Sequence, residues 1–114
     1  MKALFIELPA FERFRSTYLD DAAFLEFQKY LLNNPDVGDV IAGTGGLRKM
    51  RYGDNRRAKG KRGGLRIIYY WWAAGCQFLL FTLYNKDETE DLSSADRIKL
   101  KALLKNELDS RGKK

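Results

Sequence analysis

The sequence contains no histidine. That removes the usual general base of enzymes and the commonest metal ligand. Any catalysis falls to Lys, Arg, Tyr, Asp or Glu. There is one cysteine, Cys76, so no internal disulfide can form, and the usage fits a reducing cytosol. Cys76 reads as a small buried strand residue, because no histidine exists to activate it as a nucleophile. No apolar run approaches the length of a membrane span. The opening MKALFIEL has too short an apolar stretch, and no small-residue cleavage site, for a signal peptide. These absences lead to the expectation of a cytoplasmic protein with no membrane partner, metal or cofactor.

What is present is enough to fold. Apolar residues make up 45% of the chain, an ordinary share that argues against disorder. At 114 residues the chain is read as one domain, 1–114. Residues 2–7 read as a strand. Pro9 opens a short helix in which Phe11, Phe14 and Tyr18 share a face. Asp20 or Asp21 caps a second helix, with Phe24, Phe27, Leu31 and Leu32 on its apolar side and Asn33-Asn34-Pro35 at its end.

Residues 36–46 read as a loop with one extended piece at 39–41. Its glycines do not make a phosphate-binding P-loop, since Lys49-Met50 does not supply the required lysine followed by Ser or Thr. Residues 47–52 and 64–73 alternate or are β-branched and aromatic, so they read as paired strands. A tight turn at Ala74-Gly75 leads to an apolar strand over 77–84, expected in a central position. Ser93 and Asp96 form a capping box for a last helix carrying Leu100, Leu103, Leu104 and Leu108. The order β-α-α-β-β-β-α predicts an α+β domain, a mostly antiparallel sheet with helices packed on one face.

Charge is concentrated in one place. Residues 44–72 hold Arg48, Lys49, Arg51, Arg56, Arg57, Lys59, Lys61, Arg62 and Arg66, opposed only by Asp54, for net +8. The whole chain carries +6, so the remainder carries −2. A cationic centre on a nearly neutral body is the footprint of a polyanion binder. Arg48, Arg56, Arg57, Lys59, Lys61, Arg62 and Tyr70 are the expected RNA contacts. Residues 53–63 read as a basic hairpin loop, mobile when free and ordered on RNA. Strand alternation puts Lys49 and Arg51 on one face, and Arg66 joins them from the next strand. On an open sheet face the three would form a phosphate site.

Such a site can cleave RNA. The 2′-hydroxyl attacks the adjacent phosphorus, Arg66 and Arg51 stabilise the charge that develops, and Lys49 assists proton transfer. The intrinsic catalyst is weak without histidine, and positioning by a larger partner can supply roughly 7–11 kcal/mol.

GDVIAGTGGLRKMR, then KGKRGGLRIIYYW, then LYNKDETEDLS before a final helix, resembles the RelE/HigB superfamily of toxin–antitoxin toxins, in its HigB-like branch. The resemblance covers nearly the whole chain. It implies a RelE-like fold and a ribosome-dependent mRNA endonuclease, acting in the ribosomal A site without metal. It implies a cognate antitoxin, of the helix-turn-helix, HigA-like kind. It carries the family's catalytic pattern onto Lys49, Arg51, Arg66 and Lys86. Where some members have an arginine after that lysine, Asp87 stands here. The segment DETEDLS offers no late tyrosine or histidine, which leaves Tyr70, Tyr84 and Tyr52 for base stacking or proton transfer. Two other functions fit the same pattern: a ParE-like gyrase poison, and an RNA-binding module without activity.

Overall fold

A computed structural model describes residues 2–53, 64–86 and 92–112. In chain order the elements are β1 (Leu4–Glu7), α1 (Pro9–Tyr18), α2 (Asp21–Asn33), β2 (Asp39–Val40), β3 (Arg48–Tyr52), β4 (Leu65–Trp72), β5 (Gln77–Asn85) and α3 (Ser94–Ser110). They form an α+β domain around a five-stranded mixed sheet of order β1-β5-β4-β3-β2. β1 runs parallel to β5, and the other three pairings are antiparallel. The extended piece at 39–41 is thus a true edge strand, adding one strand to the order expected from sequence. The apolar strand β5 lies inside the sheet, while β4 holds its middle.

The helices start where their capping residues stand. Pro9 occupies the first turn of α1, where a missing amide hydrogen costs nothing. The Asp20 carboxylate accepts from the Ala23 amide at 2.8 Å. At α3 the box is complete: Ser93 Oγ accepts from the Asp96 amide at 3.1 Å, and Asp96 Oδ2 accepts from the Ser93 amide at 3.0 Å.

The helices do not share one face of the sheet. Phe11 of α1 and Phe24, Phe27 and Leu31 of α2 pack with Met50, Leu65, Ile67, Tyr69, Phe78 and Leu80. Leu100 and Leu104 of α3 pack with Ile68, Leu79, Phe81 and Tyr84. Leu65, Ile67 and Tyr69 alternate along β4 with Ile68 and Tyr70, so the two clusters lie on opposite faces. A middle strand that is apolar on both sides requires cover on both sides. The expectation of helices on one face is corrected accordingly.

A bulge keeps both faces filled. Ile68 pairs with Thr82 and Tyr69 with Leu80, so the register passes over Phe81. The alternation of β5 is reset there: Leu80 and Leu83 lie with α1 and α2, and Phe81 and Tyr84 with α3.

Three side chains depart from their expected places. Phe14 is 41% exposed and borders an open cavity of about 340 Å³ with Tyr18, Tyr84 and Leu92. Leu103 is 49% exposed on the outer side of α3. Cys76 is exposed and not in a strand. It takes a left-handed conformation, φ 52°, where the turn after β4 reverses, and its amide donates to Ala73 O at 3.1 Å. Among the described residues no helix is long and apolar enough to cross a membrane.

Candidate functional site

The site begins with the loop between α2 and β2. The Tyr69 hydroxyl donates to Pro35 O at 2.7 Å and accepts from the Gly38 amide at 3.1 Å. Arg48 Nη1 donates to Gly38 O at 2.7 Å, and its Nη2 pairs with the Asp36 carboxylate at 3.5 Å. Gly38 fits because a Cβ there would lie 3.0 Å from both Lys49 O and the Tyr69 ring. These contacts hold the chain against β3, so that Asp39 stands opposite Lys49 and Val40 opposite Arg48.

β2 stops after two residues. Beyond it, among the described residues, Met50–Tyr52 have no outer strand neighbour. A cleft of about 410 Å³ opens there, lined by Tyr30, Val37, Asp39, Lys49, Met50, Arg51, Arg66 and Lys86. Among the described residues four cations face one carboxylate there, a balance that favours an anion. The structure therefore brings together the four residues Lys49, Arg51, Arg66 and Lys86.

Their surroundings differ. Arg51 is exposed and Lys49 half-buried. Arg66 stands directly across from Arg51 on one side and from Tyr84 on the other. Arg66 was expected on an open face, yet it is only 4% exposed. It lies in the middle strand, and its face is shared with the α3 cluster through Ile68. Its Nη1 donates to Gly64 O at 3.2 Å, tying the guanidinium to the chain entering β4. Lys86 is exposed, one residue past β5, and its amide reaches the same Gly64 carbonyl at 3.5 Å.

The wider set of expected RNA contacts divides. Arg48 lies on the opposite face from Lys49, engaged with Asp36 and Gly38, and does not line the cleft. Its role is to hold β2 in place. Tyr70 shares the face of Arg66 but packs toward the α3 cluster, against Gly46. Arg56, Arg57, Lys59, Lys61 and Arg62 lie outside the described residues, as does the expected mobility of the loop that carries them. Asp87 lies outside them too.

The tyrosines proposed for stacking or proton transfer also sit elsewhere. Tyr52 packs edge-on against Phe27 at 5.3 Å, and burial pushes its phenol above the usual value. Tyr84 is 8% exposed and belongs to the α3 cluster. Trp71 stacks on Phe78 at 4.3 Å, and Trp72 is held between Gly75 and the Arg111 guanidinium. Two cleft residues escaped the sequence reading. Tyr30 looked like an ordinary helix residue, and Asp39 lay in a strand too short to show alternation.

The arrangement can bind a phosphodiester between Arg51 and Arg66, since guanidinium groups offer paired donors to phosphate oxygens. No protein-family model matches the chain.

Proposed function

We propose that this chain is a ribosome-dependent mRNA endonuclease of a toxin–antitoxin pair, a RelE/HigB-type toxin with a RelE-like fold. It acts in the cytoplasm on mRNA in the ribosomal A site and stops translation. A helix-turn-helix, HigA-like antitoxin silences it. The observation that carries the reading is the convergence of Lys49, Arg51, Arg66 and Lys86 on one cleft.

The reaction needs no external nucleophile. The mRNA 2′-hydroxyl attacks the adjacent phosphorus, and negative charge builds on the non-bridging oxygens. Arg51 and Arg66, partners on adjacent strands, stabilise that charge. Lys49 and Lys86 flank them and hold the RNA backbone. The ribosome supplies the orientation that a histidine-free site lacks.

The test mixes purified protein with ribosomes carrying a defined mRNA and maps the RNA ends. Cleavage that requires the ribosome, leaving a 2′,3′-cyclic phosphate, is the expected result. Arg66→Lys keeps the charge and loses the fork, so it should bind ribosomes but cut slowly. Intact mRNA with gyrase-dependent DNA breaks would instead favour the ParE-like function. Binding with neither reaction would leave an RNA-binding module.

A further inference from the structure

We propose that Asp39 takes the proton from the attacking 2′-hydroxyl; this role rests on the nuclease reading above. The cleft walls come from four neighbouring strands. Asp39 is on β2, Lys49 and Arg51 on β3, Arg66 on β4, and Lys86 just past the end of β5. In the order β5-β4-β3-β2 the carboxylate and Lys86 stand at opposite ends, with the two arginines between. A phosphodiester seated on Arg51 and Arg66 then has a proton acceptor on one side and a donor on the other. An in-line displacement requires that placement.

Among the described residues no other cleft group accepts a proton as readily. The chain has no histidine. Guanidinium groups stay charged, and ammonium and phenol groups hold their protons at neutral pH, while a carboxylate does not. Among the described residues Asp39 is the only carboxylate in the cleft lining, and it is exposed.

The step balances within the cleft. The Asp39 carboxylate accepts the 2′-hydroxyl proton as O2′ bonds to phosphorus. The P–O5′ bond breaks, and O5′ leaves with a proton from the Lys86 ammonium. The products are a 2′,3′-cyclic phosphate and a 5′-hydroxyl, and water restores both side chains.

The bland role for Asp39 is a cross-strand partner of Lys49 that keeps β2 in register. Asp39→Asn separates the two. Single-turnover cleavage of ribosome-bound mRNA should fall by about 10²-fold or more. Ribosome affinity should hold or rise, because a negative charge has left a cationic cleft. Any acid limb of the wild-type pH–rate profile should be missing from the variant's residual rate. Asp39→Glu should recover part of the rate. Thermal melting controls for the fold. Cleavage by folded Asp39→Asn within a fewfold of wild type overturns the assignment. So does a slower variant that keeps the acid limb, which would make Asp39 a positioning residue. A wild-type protein that leaves the mRNA intact overturns the nuclease reading and this role together.

Discussion

Arg51 and Arg66 are direct cross-strand partners, two guanidinium side chains at one rung of the β3–β4 ladder. Like charges placed this way oppose folding. A phosphate bound between them offsets that repulsion, because guanidinium groups donate in pairs to phosphate oxygens. Arg51→Gln should therefore leave the protein equally stable or up to about 0.2–1 kcal/mol more stable, and should sharply reduce cleavage of ribosome-bound mRNA. Denaturant melts and the cleavage assay read the two effects separately. A variant that loses stability and keeps full cleavage would contradict this account of the pair.

Much of the domain was legible from the sequence because its signals are local. Asp20 and the Ser93–Asp96 box mark helix starts, and alternation in RKMRY gives the face of Lys49 and Arg51. What escaped depends on packing between distant segments. The paired strand β2 is two residues long and exists because Arg48 and Tyr69 pin the chain beside it. The division of the helices between two faces follows from Ile68 and Tyr70, which look no different in sequence from Ile67 and Tyr69. The basic stretch located the cleft and three of its cations, Lys49, Arg51 and Arg66, but not the surroundings of each. Arg48 turned to the opposite face, and Arg66 became buried where a surface residue was expected. Asp39 came in from the other side of β3.

Tyr69 is fully buried, yet its hydroxyl satisfies two backbone groups of the loop before β2. Tyr69→Phe would strand Pro35 O and the Gly38 amide, at a cost of about 1–3 kcal/mol. The cleft should feel the change, because the loop places Asp39. Desolvation also holds the Tyr69 phenol above its ordinary value of about 10. A raised value contributes stability below pH 10 that is lost as pH rises through the folded value. Wild type should thus lose stability in alkali more steeply than Tyr69→Phe. Melts from pH 7 to 11 make the comparison, and parallel curves would refute it.

Gly75 is required by a neighbour and not by its own dihedral. A Cβ there would lie 2.5 Å from the Trp72 ring. The indole cannot retreat freely, since the Arg111 guanidinium sits over it at 5.9 Å and Arg111 is itself tied to Gln77 and Glu107. Gly75→Ala should cost about 1–3 kcal/mol, as overpacking does, and should shift tryptophan fluorescence. Cleavage should persist while the protein is folded, because the turn does not line the cleft. Unchanged melting would show that the ring moves aside.

The capping box at α3 makes a prediction in acid. The Asp96 carboxylate accepts from the Ser93 amide, and that hydrogen bond holds it below its usual value of 3.8. A depressed value contributes stability above about pH 4 that is lost as pH falls through the folded value. Asp96→Asn has no carboxyl to titrate, and Ser93 Oγ can still accept from the backbone amide at position 96. The variant should therefore be less stable than wild type at neutral pH, and the gap should close as pH falls below about 4. Ser93→Ala removes the other half of the box and should cost about 1 kcal/mol at neutral pH. Leu100 and Leu104 join α3 to the sheet, so loosening the helix start should lower the melting of the whole domain. Thermal melts of the three proteins by circular dichroism from pH 2 to 7 provide the comparison. A constant gap between wild type and Asp96→Asn across that range would mean that the Asp96 charge contributes nothing to the cap.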